Sequence, residues 1–184
     1  MRIAPISLFA AGLGLTALAA DDPAPRPSPN FVVLQPGGPE IPLSQYRGKI
    51  LALAFIHTTC PHCQDLTRTL TPIAREYTPK GVQFLECAFN AGAVALVPGF
   101  VAQFQPPFPV GYADDTAVRV YLGYSFIDTR PMYVPHMVFL DKKGIIRGDF
   151  PGESPFFQNP NVSIRAELDK LLQAAAAPLA AKKK

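Results

Sequence analysis

Two stretches of the chain are apolar without alternation: KILALAFIH from Lys49 and GVQFLECAF from Gly81. Continuous runs of this length predict strands buried on both faces, the pattern of a parallel sheet with helices above and below. Between them the period changes. From Cys60 onward the apolar positions are Cys63, Leu66, Leu70, Ile73 and Tyr77, in steps of three, four, three and four, which is one seam along a helix. Pro72 removes one backbone hydrogen bond and is expected to kink that helix, and TPKG closes it.

The remaining segments follow the same logic. FVVL, PGGPE and IPLSQYRGK predict a short hairpin and a lead-in turn to the first long strand. GAVALVPGFVAQF predicts an irregular helix, and the end of PPFPVGY a third short strand. DDTAVRVYLGY carries an Asp cap and a Gly stop, the marks of a helix. MVFLDKKGIIRGDF is a hairpin joined at DKKG, and VSIRAELDKLLQ is a helix with Ile164, Leu168 and Leu171 on one face. This order calls for an α/β fold: a three-layer sandwich with a mixed central sheet, helices on both faces and an N-terminal β-hairpin.

The ends of the chain read differently. Residues 1–20 hold Arg2, an apolar run and the A-x-A pattern Ala17-Leu18-Ala19, followed by Asp21 and Asp22, which together predict a cleavable export signal; an uncleaved N-terminal anchor is the alternative. Residues 21–30 are Pro-rich and are expected to be an extended linker without core contacts. The folded domain then spans 31–174, and 175–184 is a low-complexity basic tail. The expected location is periplasmic or secreted. With a net charge of +3, and three of the seventeen basic residues in the terminal KKK, no basic face points to nucleic acid.

Composition sharpens the question of the cysteines. Three are too few for a disulfide scaffold and leave one unpaired. Cys60 and Cys63, in FIHTTCPHCQDL, stand where the first apolar run gives way to the helix, a strand-to-helix junction of the kind where such sheets bind ligands. A staple, a metal clasp and a redox centre are the three readings of such a pair. Cys60 opens the helix, where free N–H groups and the positive end of the dipole favour a thiolate, while Cys63 falls on the buried seam.

The motifs around the pair resemble those of the thioredoxin-fold exported redoxins of the TlpA/ResA type, within the AhpC/TSA-like superfamily. IPLSQYRGKILALAF is similar to their lead-in and first core strand, IAREY to the helix after their cysteines, and YVPHMVFLDKKGIIRGDFPG to their cis-proline strand and hairpin. The resemblance covers about Phe31 to Gln173. It implies a thiol–disulfide oxidoreductase that needs no cofactor and exchanges disulfides with protein partners, one of them a membrane-bound redox partner. Cys60 would be the nucleophile, Cys63 the resolving thiol, Pro135 the cis-proline, and Val134 and Pro61 client-contacting residues. His62 gives CPHC, the sequence found in disulfide-forming oxidases of the DsbA type, and is expected to support the Cys60 thiolate; both directions of exchange remain open.

Departures from that pattern are specific. Thr59 stands where these redoxins have Trp, and the chain has no Trp. Ala54 and Leu66 stand at the two positions where relatives carry a buried acid, so the usual proton relay for the second thiol is missing. Glu86, alone in an apolar strand, has two readings: a replacement for that acid, or, preferred, a strand-end residue. His57 and His136 flank the site as proton shuttles, ligands or rim residues, and Cys87 reads as a buried small hydrophobe. Asn161-Val162-Ser163 matches a glycosylation pattern, but Asn161 or Ser163 as a helix cap explains it more simply. The oligomeric state is not legible. Two other classes are weaker. A Sco-like copper site on Cys60, Cys63 and His136 would need a different cysteine spacing, and a peroxiredoxin-like antioxidant would need Thr where His57 stands.

Overall fold

The computed structural model describes residues 24–125 and 127–176. The expected signal at 1–20 lies outside them, as does the tail from residue 177. In chain order the strands are β1 (Arg26–Pro27), β2 (Val32–Val33), β3 (Ile41–Pro42), β4 (Ile50–Ile56), β5 (Val82–Ala88), β6 (Val110–Tyr112), β7 (His136–Leu140) and β8 (Ile145–Phe150). The helices are α1 (Pro61–Tyr77), α2 (Ala93–Phe104), α3 (Asp115–Tyr121) and α4 (Pro160–Ala176).

Six strands form one sheet in the order β1-β8-β7-β4-β5-β6, and β2 and β3 pair separately as the N-terminal hairpin. β4 runs parallel to β5 and antiparallel to β7, which makes the sheet mixed and places β4 at its centre. All seven β4 residues are buried. Ile50, Ala52, Ala54 and Ile56 face the core built with α1, α2 and α4, while Leu51, Leu53 and Phe55 face the core built with α3 and the hairpin. The period-two geometry of a strand therefore sends one unbroken apolar run into two cores. Small Ala52, Ala54 and Ala88 on the α1 side leave room for the helix to approach.

The 63-66-70-73-77 seam is buried along α1 as its spacing requires, and the helix continues as one element through Pro72, which is solvent-exposed. α3 starts on Asp114, whose Oδ1 accepts the Thr116 N–H at 2.9 Å. β6 meets the hairpin so closely that a Cβ on Gly111 would come within 2.4 Å of the Leu34 carbonyl oxygen. Only glycine permits the paired Leu34 and Tyr112 backbone hydrogen bonds there, each 2.8 Å.

Two expectations need correction. Residues 26–27 of the expected free linker form β1, paired antiparallel with β8; Arg26 reaches Asp149 at 2.7 Å and Ser28 lies 3.0 Å from the Tyr121 hydroxyl. Pro27 is tolerated because β1 is an edge strand, where no further ladder bond is needed. The last helix begins at Pro160, and its cap is Asn159, whose Oδ1 accepts the Val162 N–H at 3.4 Å, rather than Asn161 or Ser163. Proline fits the first helical position because its missing N–H would have had no partner there.

Candidate active site

The turn from β4 into α1 is held by backbone and side-chain hydrogen bonds that need no metal or ligand. Thr58 N–H donates to Asn90 Oδ1 at 2.9 Å, the Gln64 amide donates to the Thr58 carbonyl at 3.0 Å, and Cys60 N–H donates to the His57 carbonyl at 3.1 Å. Cys60 is the N-cap of α1 in an extended conformation, and Pro61 is the first helical residue. Cys60 is half-buried, whereas Pro61 and His62 are exposed. One turn further in, Cys63 is fully buried.

Burial pushes the Cys63 thiol far above its ordinary value; the His57 N–H, 3.4 Å from Sγ, pulls weakly the other way, and neighbouring Cys60 and Glu86 push it up again. Cys87 is also fully buried, and burial alone pushes it up. It sits on the opposite face of β5, in the core built with α3, so it does not meet the pair.

The Val134–Pro135 peptide bond is cis. Its loop is braced by Gly152, whose N–H donates to the Tyr133 carbonyl at 3.3 Å and where a Cβ would lie 2.9 Å from the Tyr133 carbonyl carbon. Between this loop, the first turns of α1 and the segment before α4 runs a groove of about 490 Å³, with His62, Leu66, Val134, Pro135 and Phe157 in its walls. Pro61, His62, Val134 and Pro135 are thus gathered at one end of the sheet with the cysteines. Another cleft, lined by Phe31, Tyr46 and Arg47, lies at the opposite end of β4.

The histidines separate. The His57 ring is half-buried and stands edge-on to Phe89 at 4.4 Å, with burial lowering its pKa. His136 is no rim residue: it is 4% exposed, and its Nε2 donates to Asp149 Oδ1 at 2.5 Å. Asp149 also accepts from Arg26. Burial pushes Asp149 up, but His136 and Arg26 outweigh it and hold its carboxyl below the usual carboxylate range.

Glu86 is not at a strand end. It lies inside β5, fully buried on the α1 side, and the Thr67 hydroxyl is 2.9 and 3.1 Å from its two oxygens. Burial pushes its pKa up to about 8 against the opposing Thr67 hydrogen bond. Thr67 itself was invisible as a site residue, because a threonine beside a helical seam reads as ordinary packing. Asn90, Asp149 and Arg26 were missed for the same kind of reason, since each matters only through a partner distant in sequence.

A thioredoxin fold with a C-x-x-C pair at the start of its first long helix defines a thiol–disulfide oxidoreductase. The Redoxin family model matches residues 19–163, and the chain belongs to that family. It is 29% identical over 128 residues to the thiol-disulfide oxidoreductase ResA of Bacillus thuringiensis subsp. konkukian, covering 70% of this chain and 69% of that one. Over the same length it is 32% identical to the ResA of Bacillus anthracis. Among solved structures, a thiol:disulfide interchange protein of the thioredoxin family from Chlorobium tepidum TLS superposes with a TM-score of 0.63 at 21% identity, over 80% of this chain and 99% of that one. A secreted Mycobacterium tuberculosis disulfide oxidoreductase homologous to E. coli DsbE superposes with a TM-score of 0.56 at 19% identity, over 74% and 95% of the two chains. At these identities the solved structures establish the fold.

Proposed function

We propose that the chain is exported and exchanges disulfides with protein partners, Cys60 forming the mixed disulfide and Cys63 resolving it. The observation that carries this division is the difference in burial: Cys60 is half-buried at the start of α1, and Cys63 is fully buried. A client segment lies in the groove against the backbone of Val134 and Pro135, with Pro61 at its edge, and His62 supports the Cys60 thiolate from the first helical turn. An extended segment held by main-chain groups suits a protein whose clients share a disulfide and little else. The apolar stretch and A-x-A pattern at 1–20 support export to a periplasmic or extracellular space, where disulfides persist. The pair is turned over there by a second redox protein, membrane-bound. The copper-binding alternative is disfavoured because, among the described residues, no three His, Cys, Asp or Glu side chains converge as a metal clasp would need.

Trapping tests the assignment. Cys63→Ser should accumulate a mixed disulfide with a model protein client, Cys60→Ser should accumulate little, and Cys87→Ser should exchange at the wild-type rate. Equal trapping by Cys60→Ser and Cys63→Ser, or loss of exchange in Cys87→Ser, would overturn it.

A further inference from the structure

Ala54 on β4 and Glu86 on β5 are direct partners in the parallel register. Ala54 leaves a methyl where the longer Glu86 side chain enters the same core, on the face that also receives Cys63. A fully buried carboxylate normally demands a cation. Among the described residues none faces Glu86: β4 offers Ala54, β6 offers Val110, α2 carries no charged residue, and α4 turns Ile164, Leu168 and Leu171 inward. The titratable groups facing it are Cys63 and, beyond it, Cys60, both from the start of α1.

A neutral Glu86 can complete a hydrogen-bond chain through Thr67. The Thr67 hydroxyl lies 2.9 Å from Glu86 Oε1 and 3.2 Å from the Cys63 carbonyl oxygen, and a hydroxyl has one proton to give. A neutral carboxyl donates to Thr67 Oγ1, which then donates to the Cys63 carbonyl. An ionised Glu86 would draw the hydroxyl proton to itself and leave that carbonyl without it.

We propose that Glu86 carries a proton in the resting protein and delivers it to Cys63 when that sulfur leaves the Cys60–Cys63 disulfide, the step taken whenever the protein oxidises a client dithiol. This rests on the disulfide-exchange reading above. A client thiolate attacks Cys60 Sγ; the bond between client sulfur and Cys60 forms as the Cys60–Cys63 bond breaks, and the electron pair goes to Cys63 Sγ. The proton of Glu86 follows it, giving a neutral thiol and a carboxylate. The second client thiolate attacks the client's own sulfur in the mixed disulfide and expels Cys60 as thiolate. The client departs as a disulfide, the protein keeps two electrons as its dithiol, and Glu86 recovers a proton from solvent. Burial drives the transfer, because Cys63 holds a proton far more tightly than Glu86 does.

The test is the pH dependence of oxidation of a reduced model peptide by the oxidised protein, corrected for the peptide's own thiolate fraction. The wild-type rate should be level below about 8, where Glu86 is protonated, and fall above it. Glu86→Gln should lower the level rate at least about tenfold and remove the fall, and Glu86→Asp should restore part of both. A Glu86→Gln profile matching the wild type would overturn the proposal. So would a wild-type profile without the fall, which decides the matter by itself if Glu86→Gln does not fold. A chain that reduces disulfides but oxidises no dithiol overturns the proposal and leaves disulfide exchange intact; a chain that exchanges with neither overturns both.

Discussion

A buried thiol and a buried carboxyl on facing elements each resist ionisation, and each makes ionisation of the other harder. Cys63 and Glu86 are such a pair, and Thr67 stands between the carboxyl and the Cys63 backbone. The stability consequence has a definite sign. Glu86 is raised from 4.5 to about 8 on folding, so between those values the folded chain holds a proton that the unfolded chain does not. Its contribution is fully present below the unfolded value and is lost as pH rises to about 8. Urea denaturation at a series of pH values should therefore show Glu86→Gln gaining on the wild type by on the order of 1 kcal/mol per pH unit across that window, and no further above it. A constant difference would mean that Glu86 titrates normally. At this scale local motifs put Cys60 at the start of α1, Cys63 on its buried seam and a cis bond before Pro135, where the structure has them, but put Glu86 at a strand end, because nothing local reveals which residue of a buried run faces a helical residue nineteen positions earlier in the chain.

At the scale of elements, most of the fold was legible. β4, β5, α1 and α4 each carry a long periodic or continuous apolar pattern, and each was read close to its observed bounds. β1 was not, since two residues of a Pro-rich stretch have no period of their own. What makes them a strand is β8, with Arg26 pairing to an Asp149 that also holds His136. The Arg26 side chain is 26% exposed and that of Asp149 3%, so this bridge is more than a surface pair. Arg26→Ala should destabilise the fold by about 1–3 kcal/mol in urea denaturation, less than a fully buried bridge because solvent still reaches Arg26. The loss should shrink in acid. Asp149 is depressed on folding, so its stabilising contribution is present above its unfolded value and disappears as pH falls through the folded one. An Arg26→Ala chain as stable as the wild type at neutral pH would return 24–30 to the status of a linker.

Redox potential belongs to the whole molecule, because it measures how differently the complete fold holds the dithiol and the disulfide. On the proposed reading, His62 and the start of α1 favour the reduced form, while Thr59 departs from the redoxin pattern. Equilibration with glutathione buffers should give a value between those of thioredoxin and DsbA, about −270 and about −120 mV. His62→Pro should lower it, and the reduced protein should melt above the oxidised one. A value at or below that of thioredoxin would identify a reductase fed by a membrane donor.

Elements whose hydrophobic pattern is internal to them were decided by sequence alone: the central strands, the α1 seam and the last helix. Each buries its apolar face whatever the detailed partner, so local periodicity is enough. The tertiary structure alone decided what depends on pairs: β1 on the edge of β8, His136 with Asp149 rather than at the rim, Asn159 as a cap, and Glu86 opposite Ala54. A hydrogen bond or a register pairing is a relation between two residues, and chain folding supplies the second one from 32 residues away for Thr58 and Asn90 and 123 for Arg26 and Asp149. The sequence names both residues, but only the fold brings them together.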